Sequence, residues 1–341
     1  MADPTADPGG APAGLVERLW EGRLGPLGIV LGALLTPPEL AFRGIVAARD
    51  VAYRTGLFRS HPAPVPAISV GNLTVGGTGK TPLVRWLVGE LVTRGRTPGI
   101  LHGGYSDDEP ELHRRWFPEL PVVATRDRME AARSAVADGA DVLVLDDAFQ
   151  HRRIRRSLDV VLLAAESWTD RPRLLPRGPY REPLRALDRA DVVVVTRRRA
   201  PAAAAADVAR SVRGRTSVPV AVASLAPGGW LTPDGTPREG RPVRGVAVAG
   251  VGRPKAFFQQ VADLGVSLTG TLAFRDHHPY HPADADGIRD AAGAAPVITT
   301  AKDAVKLETL LPDTDLWVLD QTVTFEEGRE AVVEGFEEVT P

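Results

Sequence analysis

The residues Thr74, Val75, Gly76, Gly77, Thr78, Gly79, Lys80 and Thr81 have the types and spacing that cradle a nucleotide phosphate. They follow the phosphate-loop pattern, with Thr in place of its first Gly. Glycine at 76, 77 and 79 lets successive backbone N–H groups converge on an anion, because a residue without Cβ tolerates the dihedrals and the close approach. Lys80 opens a helix, so its ammonium and the positive end of the helix dipole both face β- and γ-phosphates. Thr81 offers a hydroxyl to Mg²⁺. A tight turn that needs glycine for packing alone is the plainer reading. The strand "PAISV" before the loop and the amphipathic stretch 80–93 after it favour nucleotide binding.

Carboxylates that could partner a metal appear in "DVLVLDD", an apolar strand that delivers Asp146 and Asp147 to the carboxyl edge of a sheet. They fall beside the phosphate loop if the two strands are neighbours. Gln150, His151 and Arg152 follow at once, at an edge where ligands usually bind. In "GGYSDDEPELH", Asp107, Asp108 and Glu109 share a tight turn, and their mutual repulsion calls for a metal, a cation or a proton nearby. "LLPRGPYREPL" sets Arg177, Arg181 and Glu182 between prolines, which fixes the backbone for an arginine to meet a phosphate or a carboxylate. "FRDHHPYH" carries Asp276, His277, His278 and His281; a histidine that orients or assists a general base is preferred there over a zinc site.

The elements that must position these groups follow from apolar patterning. From residue 66, "PAISV", "TPGILH", "PVVAT", "DVLVLDD", "DVVLLAA" and "DVVVVT" alternate with helical stretches, including 80–93 and 128–138. Continuous Val/Leu/Ile runs indicate strands buried on both faces, hence an α/β fold with a mostly parallel sheet flanked by helices, of the phosphate-loop kinase type. The tract 197–215 reads as a surface helix. Gly and Pro cluster over 225–245, which suggests a boundary before a second, smaller α/β domain. The "GVGRP" turn beyond it lacks the third glycine of a dinucleotide site.

Residues 1–14 are too rich in Ala, Pro and Gly to pack and are expected to be a disordered tail. The apolar run 24–35 is too short to span a bilayer and ends at Pro37 and Pro38. Behind it, Phe42, Ile45, Val46 and Tyr53 share a helical face, with Arg49 inside that face and obliged to snorkel. This suits a helix lying on a membrane surface, or equally one packed against its own domain. The expected division is a tail (1–14), a membrane-associated helical segment (15–62), an ATP-binding domain (63–225) and a smaller C-terminal domain (226–341).

Composition narrows the function further. With 341 residues and 43% hydrophobic content, the chain can bury a sizeable core. The absence of cysteine excludes disulfides, zinc–thiolate sites and thiol catalysis. A net charge of −2 with interspersed signs gives no global field for nucleic acid, so the arginines at 152, 153, 155 and 156 need a local explanation.

Taken together, "VGNLTVGGTGKTP", "DEP", "RDR" at 126–128, "LDDAFQHRR", "GPYREPL", "AGVGRP", "DHHPY" and "TAKDAVKL" resemble the tetraacyldisaccharide 4'-kinase (lipid A 4'-kinase) family of Gram-negative bacteria, over about residues 25–320. The family itself carries Thr at the position of Thr74. The resemblance implies transfer of the ATP γ-phosphoryl group to the 4'-hydroxyl of a tetraacylated glucosamine disaccharide 1-phosphate, with Mg²⁺, at the cytoplasmic face of the inner membrane. The protein would be peripheral or monotopic there, with a lipid A precursor and a membrane surface as partners and neither nucleic acid nor an obligate protein partner. Asp108 would accept the sugar hydroxyl proton, supported by His277 rather than His278. Thr81, Glu109 and Asp147 would hold or surround Mg²⁺, Lys80 and Arg181 would steady phosphate oxygens, and Glu182 and His151 would shape the site. An ATP-binding regulator of weak or no kinase activity is the second reading. The family's "SRGYG", with some twenty residues before "GDEP", is here shortened to "HGGYSDDEP". Asp108 and His277 fall in different expected domains, so they are expected to come within reach only when a cleft closes on both substrates.

Overall fold

The apolar runs become strands in a computed structural model that describes residues 15–104 and 108–340. They are β1 (Ala67–Asn72), β2 (Pro98–His102), β3 (Val122–Ala124), β4 (Val142–Asp146), β5 (Leu158–Ala164), β6 (Val192–Arg197) and β7 (Val220–Leu231). Beyond them lie β8 (Arg244–Ala249), β9 (Ser267–Ala273), β10 (Val297–Thr300) and β11 (Leu316–Glu327). The expected tail and Asp107 lie outside the described residues.

Two compact units form, and they are not consecutive in the chain. Of the described residues, 15–104, 119–226 and 323–340 make the larger unit, and 108–118 with 227–322 make the smaller one. This differs from the expected run of domains at two places. The helix Asp108–Trp116 belongs to the smaller unit, where the Arg115 guanidinium donates to Glu308 (2.7 Å) and to the Pro233 carbonyl (2.9 Å). The C-terminal helix Arg329–Val339 belongs to the larger unit, because Val332 and Phe336 are buried there and the Arg94 guanidinium lies 4.9 Å from the Phe336 ring centroid.

In the larger unit the parallel order is β7-β6-β5-β1-β4-β2-β3. β1 and β4 are buried at every position, as continuous apolar runs require. β4 is a direct neighbour of β1, with Val70 opposite Asp146, so the loop after β1 and the acidic end of β4 emerge side by side. The helix Lys80–Thr93 covers the sheet with Leu83, Val84, Leu87, Val88 and Leu91. Asp127 caps the helix Arg128–Ala137 by accepting from the Met129 and Glu130 amides. The alanine-rich tract forms the helix Ala202–Arg213, which buries Ala205, Val208, Ala209 and Val212 and is therefore core on one face.

The N-terminal helices Gly25–Leu34 and Thr36–Arg54 are part of the larger unit and meet at 49°. Arg49 does not snorkel: its guanidinium donates to the buried carboxylate of Glu182. Arg152 bridges to Asp50 (2.9 Å), Glu39 accepts from the Leu174 amide (3.0 Å), and the Trp20 indole donates to the Pro176 carbonyl (3.1 Å). Ile29, Leu34, Leu40 and Ile45 stand out on these helices and Leu57 just beyond them, Ile29 and Leu57 each 76% exposed. No single helix among the described residues is long and apolar enough to cross a membrane.

The smaller unit carries the parallel order β9-β8-β10-β11. The Gly/Pro-rich stretch 225–245, expected as a boundary without periodicity, is a hairpin. β7 continues to Leu231, and Trp230 and Leu231 pair with Arg238 and Pro237. Trp230 packs edge-on against Trp317, with centroids 6.0 Å apart.

Candidate active site

The larger unit builds a phosphate-binding turn from β1 outward. Gly76 (φ 110°) and Gly79 (φ 89°) take left-handed backbone conformations, and a Cβ on Gly79 would collide with Leu225. Asn72 ties the turn together by donating from Nδ2 to Thr78 Oγ1 (3.0 Å), and the Thr196 hydroxyl donates to the Thr78 carbonyl (2.8 Å). Thr74 and Thr78 are buried, Val75 is exposed, and the Val75 amide donates to the Pro179 carbonyl at 2.8 Å. Gly79 caps a helix that begins with Lys80 and Thr81, so free amide donors and the helix dipole point to one place.

Beside the turn stands Asp147, with φ 50°. A left-handed aspartate is uncommon, costs of order 1 kcal/mol, and gathers at functional sites. Lys80 Nζ lies 3.6 Å from its carboxylate, and Arg181 Nη1 donates to both oxygens at 3.0–3.1 Å. Burial opposes the charge of Asp147, yet Lys80 and Arg181 hold its carboxyl below the usual carboxylate range. Gln150 anchors this turn to β1 through Nε2 donating to the Asn72 carbonyl (2.8 Å). The approach is close because residue 71 is glycine: a Cβ there would sit 2.6 Å from that of Phe149. Asp146 is buried. Its carbonyl accepts from Arg128 (2.8 Å), and its carboxylate is 3.8 Å from Nδ1 of buried His102, a neighbour the sequence reading did not single out. Thr81, Asp146 and Asp147 offer hydroxyl and carboxylate oxygens, the donor set Mg²⁺ takes, and Asp146 ends the strand beside the phosphate turn with Asp147 just after it, so the residues fit that ion.

Two expected site residues have other partners. Glu182, 1% exposed at its side chain, is clamped by Arg49 and by Arg189 (2.7 Å), which makes it the anchor of the N-terminal helix. His151 is half-buried, and burial together with Arg128 and Arg156 pushes its imidazole below its ordinary value.

The smaller unit assembles the acid–base residues. Asp108 starts its helix with a buried carboxylate. His277 Nδ1 lies 3.1–3.2 Å from the two carboxylate oxygens, Lys306 Nζ donates to Oδ2 at 3.0 Å, and Lys302 Nζ stands 3.9 Å from Oδ2. The expectation that Asp108 and His277 lie in different domains is corrected. They belong to one unit and touch, because the helix Asp108–Trp116 packs against the helix Ala301–Leu310 there. Burial raises the cost of charging Asp108, but the hydrogen bond from His277, the charge of Lys302 and the hydrogen bond from Lys306 outweigh it and hold the carboxyl well below its ordinary range. The same hydrogen bond raises the His277 imidazole, against burial and the charge of Lys302.

His277 (φ 58°) and Tyr280 (φ 43°) are both left-handed, so the loop that aims the imidazole is strained and must be held. Asp303 holds it: the Tyr280 hydroxyl (3.1 Å), the Gly250 amide (3.0 Å) and the Thr300 hydroxyl (2.7 Å) all donate to its carboxyl. Burial pushes the Asp303 carboxyl up. His278 turns away, with Nε2 2.9 Å from Asp284 and its ring stacked on Phe274 at 4.8 Å, and so does not meet Asp108 through its side chain. Glu109, expected near the metal, accepts from Lys302 at 3.4 Å. Lys302 and Lys306 were quoted in a motif but given no role; their four-residue spacing on one helix, which sets both ammonium groups on the same face, was the signal.

Comparison with known proteins follows the same outline. The profile of the family described as tetraacyldisaccharide-1-P 4'-kinase, LpxK, matches residues 31–338. A relative named tetraacyldisaccharide 4'-kinase from Anaeromyxobacter dehalogenans is 39% identical over 330 residues, covering 88% of this chain and 87% of its own. One of the same name from Syntrophotalea carbinolica is 36% identical over 315 residues, covering 84% and 86%. The solved structure of LpxK from Aquifex aeolicus in complex with ATP superposes with a TM-score of 0.74 at 26% identity, covering 91% of this chain and 99% of that one.

Proposed function

We propose, for a chain that belongs to the tetraacyldisaccharide 4'-kinase family, the following division of labour in moving the γ-phosphoryl group of ATP to the 4'-hydroxyl of tetraacyldisaccharide 1-phosphate. The turn Thr74–Thr81 takes the ATP phosphates, with Lys80 and Arg181 set against the charge that grows on the transferred group. Thr81, Asp146 and Asp147 would hold Mg²⁺, which would supply positive charge against the ATP phosphates.

Asp108 takes the proton of the sugar hydroxyl. In one displacement the hydroxyl O–H bond breaks, its oxygen bonds to the γ-phosphorus, the bond from that phosphorus to the bridging oxygen breaks, and ADP leaves while the proton rests on Asp108. A carboxylate whose own pKa is depressed is a weak base, so its contribution lies in position and in charge opposite the developing acid. The observation that carries the reading is the contact of Asp108 with His277 and Lys306. It also disfavours the regulator reading, which has no use for a carboxylate held by a histidine and a lysine.

The acceptor is a lipid, and the exposed side chains of Ile29, Leu34, Leu40, Ile45 and Leu57 support seating of residues 25–58 in the cytoplasmic surface of the inner membrane. Incubation of the detergent-solubilised protein with MgATP and tetraacyldisaccharide 1-phosphate tests the function: ADP and phosphorylated lipid form in equal amounts. Consumption of ATP without phosphorylated lipid returns the regulator reading. Cosedimentation with anionic vesicles tests the seating, and Ile29→Asp with Ile45→Asp abolishes it if those side chains insert.

A further inference from the structure

Lys302 touches the far side of the dyad. Its Nζ lies 2.9 Å from His277 Nε2, 3.4 Å from Glu109 and 3.8 Å from Asp276. We propose that Lys302 is a positioning residue that fixes His277 as the Nδ1–H tautomer, by occupying Nε2 with an ammonium that can only donate.

The groups facing the imidazole come from three elements: Asp108 and Glu109 from the helix Asp108–Trp116, Asp276 from its own loop, and Lys302 and Lys306 from the helix Ala301–Leu310. A neutral imidazole has one donor nitrogen and one acceptor nitrogen, and its partners decide which is which. Asp108 can only accept at Nδ1, and Lys302 can only donate at Nε2, so both demand the same tautomer. Asp276 is the competitor. Its carboxylate stands 4.0 Å from Nε2, beyond hydrogen-bond range while Lys302 occupies that nitrogen, but it is the nearest acceptor for an Nε2–H once Lys302 is gone. In that other tautomer the Nδ1 lone pair faces the Asp108 carboxylate and repels it.

The proton path follows. With Nδ1 already protonated and Nε2 occupied, His277 has no vacant nitrogen for the substrate proton. It orients Asp108 by donating from Nδ1, the ammonium groups of Lys302 and Lys306 balance the carboxylate's charge, and the proton taken from the sugar stays on Asp108 until product leaves.

This rests on the kinase reading, but its main readout does not require catalysis. Histidine side-chain ¹⁵N spectra of the full-length protein in detergent, assigned with His277→Gln, are compared for wild type, Lys302→Met and Lys302→Arg at mildly alkaline pH. The wild type is expected to show a single tautomer protonated at Nδ1, Lys302→Met a mixture or the Nε2–H form, and Lys302→Arg the wild-type pattern. Turnover is expected to fall about 10- to 100-fold in Lys302→Met with KM for ATP unchanged, the range seen when the group that fixes a histidine through its other nitrogen is lost. A wild-type Nε2–H tautomer, or a spectrum unmoved by Lys302→Met, overturns the proposal. A wild type that fails to phosphorylate the lipid while its tautomer still switches overturns the kinase reading alone.

Discussion

Asp108 and His277 are 169 residues apart in sequence and 3.1 Å apart in space, within one compact unit. A pair in contact acts as one device, so its members' losses do not add. Asp108→Ala and His277→Ala should each lower turnover by about 10²- to 10⁴-fold, the range of a positioned proton acceptor, with ATP affinity nearly unchanged. The double variant should be little worse than the poorer single one. Steady-state kinetics with the lipid acceptor checks this, and losses that multiply would show two independent groups.

The pair also gives stability a pH signature. Asp108 is lowered from an ordinary value of 3.8, so its contribution is complete above 3.8 and lost as pH falls through the folded-state value. His277 is raised from 6.5, so its contribution is complete below 6.5 and lost as pH climbs through the folded-state value. The stability difference between wild type and His277→Gln should therefore be largest between 3.8 and 6.5 and shrink on either side. Denaturant titrations across pH measure it, and a difference that grows toward alkaline pH would contradict the pairing.

Glu182 sits nearly out of contact with solvent between Arg49 and Arg189, and so it holds the N-terminal helix to the larger unit. Glu182→Gln removes the charge both guanidinium groups need. It is expected to cost about 1–3 kcal/mol, and each kcal/mol lowers the melting temperature by about 2–4 °C in a domain of this size. Thermal melts of the two proteins decide; unchanged melting alongside lost turnover would return Glu182 to the active site.

Much of the larger unit was legible because its signals are local. The glycine turn, the helix after it and the acidic end of β4 each declare themselves within a dozen residues, and one neighbour relation, β4 beside β1, brings them together. Asp108 and His277 were legible as a pair only through the family resemblance. Their shared unit was not, because the chain visits it for one helix, Asp108–Trp116, and returns to it only for residues 227–322. Arg49 looked like a misfit on an apolar face because its partner lies 133 residues away. Lys302 and Lys306 have the sequence look of solvent-facing helix lysines, and only the packing of two helices distant in sequence turns them toward a carboxylate and an imidazole.

Transfer to the lipid depends on Asp108 taking the proton of the sugar hydroxyl. Mass spectrometry of tetraacyldisaccharide 1-phosphate after single turnover with bound MgATP measures it, for wild type, Lys80→Ala and Asp108→Asn. The wild type should convert the lipid to the species with one added phosphate at the 4' position. Asp108→Asn should bind ATP as tightly yet leave the lipid unconverted on the same timescale, and Lys80→Ala should fail with its fold intact. Conversion by Asp108→Asn at the wild-type rate would contradict the central claim.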